Sequence, residues 1–128
     1  MRILLDTHAL LWWFSDDLSL TQTARKHIGD ARNEVLISAA TAWEIATKVR
    51  LGRLPTGIDL AAEFMAYLNQ AGFQVLEITA DHGIRAGSLP GPHKDPFDRM
   101  LIAQSQAEHL AIVSADLIFD EYGVRRLW

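Results

Sequence analysis

The sequence contains no cysteine. Disulfide bonds, thiolate nucleophiles and zinc–thiolate sites are therefore excluded. A chain without cysteine is also compatible with a reducing compartment. Any metal site in this protein would have to use oxygen or imidazole ligands.

The sequence also has no long hydrophobic run. The apolar residues at the amino terminus are interrupted by Asp6, too early for the apolar core of a signal peptide. No stretch of about 18 apolar residues follows, so no membrane span is predicted. We therefore expect a soluble, cytoplasmic protein.

An excess of positive charge is missing as well, since the formal net charge is −4. Proteins that hold nucleic acid mainly through phosphate contacts are usually basic. Either nucleic acid is not the partner, or the acidic residues are concentrated where a divalent cation reverses the local sign. The length of 128 residues suits one domain, and we expect a single domain over residues 1–128.

Short apolar segments alternate with amphipathic ones along the whole chain. The apolar segments predict buried strands, namely 3–5, 35–37, 73–78, 111–114 and a fifth at 124–128. The amphipathic segments predict helices at 8–14, 21–31, 41–51, 58–71, 80–89 and 96–110. Buried strands separated by helices predict an α/β fold, a three-layer α/β/α sandwich around a parallel sheet of four to five strands.

Several acidic residues fall near the carboxyl ends of these strands or in the helices beside them. Asp6 follows the first strand, Glu44 lies in the helix after the second, and Asp116 follows the fourth. Asp95 and Asp98 begin the helix before that fourth strand. A parallel sheet would bring such residues to one edge, where a divalent cation would relieve their repulsion. Oxygen ligands favour Mg²⁺ or Mn²⁺ over Zn²⁺.

Each acid also has a purely structural interpretation. Asp6 and Asp95 are good helix N-caps, and Asp98 stands where a capping-box acid belongs. Glu44 would then lie on a solvated helix face, and Asp116 would begin a loop or cap a following helix. No two histidines show helical metal-ligand spacing, so the five histidines are interpreted as surface or capping residues. The consecutive aromatics 12–14 cannot all face one way, so either the core covers all three or some contact a partner.

Four motifs occur in order, and together they are distinctive. They are Leu-Leu-Asp-Thr at 4–7, Trp-Glu-Ile at 43–45 with Ser38 before it, Asp-Pro-Phe-Asp-Arg at 95–99, and Ile-Val-Ser-Ala-Asp at 112–116. This order resembles the PIN-domain family, and within it the VapC-like toxins of bacterial toxin–antitoxin pairs. The resemblance implies an endoribonuclease that uses Mg²⁺ or Mn²⁺, forms a homodimer and is inhibited by a cognate antitoxin protein. Its metal-binding and catalytic acids would be Asp6, Glu44, Asp98 and Asp116, whereas Asp95 has no counterpart in most PIN domains.

The mechanistic hypothesis follows from these acids. Asp6, Glu44 and Asp98 would bind the cation, with Asp116 acting directly or through water, and water would attack the phosphodiester. Thr7 or Ser38 could position a water molecule. Five basic residues could contact the RNA backbone, namely Lys48, Arg50, Arg53, Lys94 and Arg99.

Two other classes of protein remain open. A catalytically silent PIN-like module would keep the fold and bind RNA or protein without cleavage. A phosphatase-like α/β domain would need a second Asp two residues after the first, and His8 stands there instead.

Overall fold

A computed structural model describes residues 1–55 and 58–128, with Ile58 described by its backbone alone. The strands are β1 (Arg2–Leu5), β2 (Glu34–Ser38), β3 (Gln74–Leu76), β4 (Ala111–Val113) and β5 (Arg126–Leu127). The helices are α1 (Thr7–Ser15), α2 (Gln22–Gly29), α3 (Ala39–Arg50), α4 (Ile58–Ala62), α5 (Phe64–Ala71), α6 (Ala80–Ser88), α7 (Pro96–Glu108) and α8 (Ile118–Glu121). No helix among these residues is long and apolar enough to cross a bilayer.

The five strands form one sheet in the order β3-β2-β1-β4-β5, and every neighbouring pair is parallel. The predicted parallel sheet of four to five strands is therefore confirmed. The chain leaves β1 towards β2 on one side and later places β4 on the other side of β1. Such a reversal of strand order opens a crevice at the carboxyl ends of β1 and β4, and ligands of open α/β sheets bind in such a crevice.

Side chains alternate between the two faces of the sheet and build a separate core on each. In β1, Ile3 and Leu5 belong to the core that α1, α2 and α5 cover. Leu4 points the other way, into a second core with Leu101 and Ile102 of α7. All five of these side chains are almost completely buried. Two apolar faces on one sheet explain the predicted three-layer sandwich, which is confirmed.

Helix boundaries follow local signals, with two exceptions. A single helix over 58–71 was expected, but the structure has α4 and α5 with a break at Glu63, whose φ of −122° and ψ of 35° leave the helical region. Neither proline nor glycine marks that position, so the break is not visible in the sequence. The short helix α8 was not expected at all, because its four residues are too few to show a period.

Candidate active site

A pocket of about 270 Å³ lies at the carboxyl ends of β1 and β4. Eleven residues line it, and five of them are acidic. The acidic residues are Asp6, Glu44, Asp95, Asp98 and Asp116. The structure thus brings all four predicted site acids, and Asp95 as well, to one place. They come from four separate segments of the chain, which only the parallel topology joins.

Asp6 occupies the turn between β1 and α1. Its backbone N–H donates to the Val113 carbonyl at 3.1 Å, which extends the pairing of β1 with β4 and fixes the side chain at the crevice. Its Oδ1 accepts from the Ala9 N–H at 2.8 Å, so the predicted capping role and the predicted site position coexist in one residue. Burial raises the pKa of the Asp6 carboxyl, and the charge of Asp98 raises it further, against hydrogen bonds from Ser114 and Ala9.

Glu44 projects from α3 and is 8% exposed, so it does not lie on a solvated helix face. One carboxylate oxygen accepts from the Thr7 hydroxyl, and the other contacts the Lys48 ammonium one helical turn away. A buried carboxylate requires such partners, because burying an unpaired charge is costly. The Glu44 carboxylate is therefore held in the pocket by one hydroxyl and one cation.

Asp98 lies in the first turn of α7. A hydrogen bond of 2.9 Å joins its Oδ2 to Nε2 of His93, in the loop before the helix. Burial raises the pKa of Asp98, and the charges of Asp95 and Asp116 raise it further, while His93 opposes the rise. Asp95 and Asp116 are therefore close enough to Asp98 for their charges to repel its carboxylate.

Asp116 is exposed at the rim of the pocket, between β4 and α8. Its Oδ1 accepts from the Ile118 N–H at 3.0 Å, and its own N–H donates to the Ser114 hydroxyl at 2.9 Å. Ser114 is fully buried and also contacts Asp6. Sequence reasoning missed Ser114, although a polar residue that directly follows an apolar strand signals this position.

Asp95 is the N-cap of α7, as its sequence context predicted. Its Oδ1 accepts from the N–H groups of Phe97 at 2.9 Å and Asp98 at 3.0 Å. The side chain is nevertheless exposed at the pocket, where its charge raises the pKa of Asp98. Capping geometry alone therefore accounts for its orientation.

The predicted RNA-contacting cations are distributed differently. Lys48 lines the pocket and pairs with Glu44. Arg99 is turned inward, so the expectation that it contacts RNA is not supported by its position. Its guanidinium donates to three backbone carbonyls, those of Ala86 at 2.9 Å, Leu89 at 2.7 Å and His93 at 2.8 Å. The remaining three do not line the pocket and are exposed, namely Arg50, Arg53 and Lys94.

Of the two hydroxyls proposed to position water, only Thr7 lines the pocket. Its Oγ1 is committed to the Glu44 carboxylate. Ser38 is fully buried, and its Oγ accepts from the Ala40 N–H at 3.0 Å as the cap of α3. Ser38 therefore serves the helix that carries Glu44 rather than the pocket itself.

Two rings form one wall of the pocket. His8 stacks on Trp12 with ring centroids 5.4 Å apart and 26° between planes, and both residues line the pocket. The other two aromatics of the 12–14 segment have structural partners. The ring centroid of Trp13 lies 6.2 Å from that of Phe73. The ring centroid of Phe14 lies 5.4 Å from that of Tyr67 and 6.0 Å from that of Phe73. Trp12 is therefore the one that faces the site.

The donor set fits a hard divalent cation in its chemistry. The acids offer only oxygen atoms, and burial and mutual repulsion raise the pKa of two of them, a cost that a bound cation would offset. Within residues 1–55 and 58–128, however, no three acidic or histidine side chains already stand together as a metal-binding group. Two of the carboxylates are instead each coupled to a basic side chain, Glu44 to Lys48 and Asp98 to His93.

A larger cavity of about 640 Å³ lies elsewhere, near the amino ends of the strands. It contains Arg2, His109 and Arg125 among its lining residues and none of the five pocket acids. Size alone would favour this cavity as the functional site. The convergence of carboxylates at the strand carboxyl ends is the stronger indication of chemistry.

The fold and the site together define a class, a parallel α/β sandwich with an acidic pocket at the reversal of its strand order. The sequence model of the PIN domain family matches residues 3–124, so the chain belongs to that family. The family resemblance predicted from the four motifs is thereby confirmed.

Individual relatives agree with this assignment. The chain is 38% identical over 58 residues to Ribonuclease VapC16 of Mycobacterium tuberculosis (strain ATCC 25618 / H37Rv), a match that covers 45% of this chain and 41% of that protein. The match thus spans less than half the length of this curated relative.

Two solved structures share the fold. The structure of VapBC2 from Rickettsia felis bound to a DNA fragment from its promoter superposes with a TM-score of 0.65 at 12% identity, over 100% of both chains. A toxin–antitoxin complex from Klebsiella pneumoniae superposes with a TM-score of 0.58 at 18% identity, over 90% of this chain and 87% of that one.

Proposed function

We propose that this chain is a metal-dependent endoribonuclease, the toxin of a toxin–antitoxin pair, formed by one nuclease domain over residues 1–128. The observation that carries the proposal is the convergence of Asp6, Glu44, Asp98 and Asp116 on one pocket of a PIN-family chain. The similarity to a ribonuclease of the VapC type supports RNA as the substrate.

The four acids have distinct tasks in this proposal. Asp6, Glu44 and Asp98 would hold Mg²⁺ or Mn²⁺, and Asp116 at the rim would act directly or through water. When bound, the ion lowers the pKa of water and stabilises charge on phosphoryl oxygens. Thr7 and Lys48 orient the Glu44 carboxylate, and His93 orients that of Asp98.

The reaction is hydrolysis of an RNA phosphodiester. The water oxygen loses a proton and forms a bond to phosphorus, while the bond from phosphorus to the 3′ oxygen breaks and that oxygen takes up a proton. The products are a 5′-phosphate and a 3′-hydroxyl. The pocket acids keep the attacking water oriented, and Lys48 supplies a positive charge near the phosphate.

Two protein partners belong to the proposal. The relatives that are toxin–antitoxin complexes support a cognate antitoxin. A homodimer is supported by an almost wholly apolar depression between α3, α6 and α7. Two of its lining residues are large and exposed, Trp43 by 60% and Ile78 by 40%. Large exposed apolar surfaces often mark protein contacts. Light scattering should show a dimer that Ile78→Lys shifts towards monomer, and a monomeric parent would contradict this part.

The nuclease proposal is tested by incubating the purified chain with end-labelled RNA in Mg²⁺, in Mn²⁺ and with EDTA. We expect cleavage only with metal, and its loss in Asp6→Asn. Asp81→Asn is the matched control, because Asp81 is an exposed acid outside the pocket that pairs with Arg85. Mapping cleavage ends across total RNA after induction would then identify the substrate. Equal cleavage by Asp6→Asn and the parent would refute the assignment of the site.

A further inference from the structure

His8 stacks on Trp12, and although Trp12 also packs against the core, neither the acids nor the core accounts for the exposed imidazole beside it. The two residues are four positions apart in α1, so their side chains lie one above the other on the same helix face. That face borders the pocket, and the helix that carries it begins directly after Asp6. The stack therefore stands beside the position at which a phosphodiester would react.

The outermost ring of this stack is exposed to solvent. Trp128 contacts the Trp12 ring at a centroid distance of 5.8 Å with planes tilted by 51°. Trp12 contacts both Trp128 and His8 and is half-buried, whereas His8 is exposed. The indole thus supports the stack from the protein side, and the imidazole is its exposed outer ring.

The electrostatics of the pocket make an uncharged contact valuable. Five acids line it, and Lys48 is the one lysine or arginine among the eleven lining residues. An RNA strand brings further negative charge to this place. Stacking of a base on an aromatic ring requires no positive charge, so it attracts the strand without depending on phosphate contacts.

We propose that His8, supported by Trp12, is a stacking platform for a nucleobase next to the scissile phosphate. Its ligand is an unpaired base, because a base inside a duplex is already stacked on both sides and cannot reach the platform. The identity of the polymer rests on the proposed ribonuclease function. The stacking itself is a separate physical claim, since a base can bind to the rings whether or not the strand is cut.

The test measures binding without cleavage. In an Asp6→Asn background, the affinity for a fluorescein-labelled single-stranded RNA octamer is measured by anisotropy. His8→Leu and His8→Phe both remove the imidazole and any charge it carries, but only His8→Phe keeps a ring. We expect His8→Leu to weaken binding about 5- to 150-fold and His8→Phe to keep most of the affinity, since stacking contributes this much per base.

A fully abasic octamer separates stacking from structural effects. It has the same phosphates but no bases, so His8→Leu and Trp12→Leu should leave its affinity unchanged. Trp13→Phe is the control on the same helix, because Trp13 packs against Phe73 away from the pocket. Equal losses for both octamers, or equal affinities of His8→Leu and His8→Phe for the base-bearing octamer, would overturn the platform. Failure of the parent to cleave RNA would instead overturn the proposed function and leave this binding result intact.

Discussion

Replacement of Arg99 tests whether this residue holds the site together or contacts RNA. Its guanidinium donates to the carbonyls of Ala86, Leu89 and His93, at the end of α6 and in the loop that leads to α7. The loop carries His93, which contacts Asp98. Arg99 therefore supports the loop that places His93 against Asp98, one of the pocket acids.

The magnitude follows from the three hydrogen bonds. Each contributes about 1 kcal/mol net, so Arg99→Met should lower the free energy of unfolding by about 3 kcal/mol. Lysine is a point charge without the planar fork and can replace at most one of the three contacts, so Arg99→Lys should cost about 2 kcal/mol. These losses are large compared with a total stability of about 5–15 kcal/mol.

Urea unfolding followed by circular dichroism measures the effect. With a slope of about 2 kcal/mol per molar urea, the midpoint of Arg99→Met should fall by roughly 1.5 M. Arg85→Met is the matched control, because Arg85 pairs with exposed Asp81 on the surface of α6 and should change stability by less than about 1 kcal/mol. If Arg99→Lys unfolds like the parent but raises KM for RNA, Arg99 contacts the substrate and the structural account is wrong.

Three further predictions concern the pocket. The pKa of Asp6 is raised in the fold, so between the unfolded pKa of 3.8 and the folded pKa the native state binds more protons and loses stability as pH rises. Asp6→Asn removes this charge and can still cap α1, so it should be more stable than the parent in thermal melts at pH 7. A lower melting temperature for Asp6→Asn would contradict this. Saturating Mn²⁺ should raise the melting temperature of the parent by roughly 10 °C at a hundred times Kd, but not that of Asp98→Asn, whereas equal shifts would place the ion elsewhere. Thr7→Val should cost about 1–3 kcal/mol in urea unfolding by removing a donor from buried Glu44, and no loss would show that Lys48 suffices.

The sheet could be predicted because its strands carry the signal locally. Ile3, Leu4 and Leu5 are apolar on both faces, which is typical of a parallel strand covered on both sides, and the structure buries all three. Helix starts were equally visible at Asp95-Pro96, where a cap precedes a proline. The interruption at Glu63 was not visible, because neither proline nor glycine stands there to disfavour a helix.

The location of the acids was predictable, but their partners were not. Topology places Asp6, Glu44 and Asp116 at one edge once the strands are known to be parallel. The contact of His93 with Asp98 depends on the path of a loop that contains Pro90 and Pro92, and a sequence pattern does not specify such a path. The inward turn of Arg99 depends on that same loop.

The capping alternative was weak evidence against a site, and the structure shows why. Asp6 and Asp95 both cap helices, yet both line the pocket. In a parallel α/β sheet, the helix after a strand begins at the strand's carboxyl end, which is also where the ligand crevice opens. An acid that caps such a helix therefore lies beside the crevice, because the helix begins there. Capping and ligand binding are compatible demands on one carboxylate, since each oxygen can accept from a different direction.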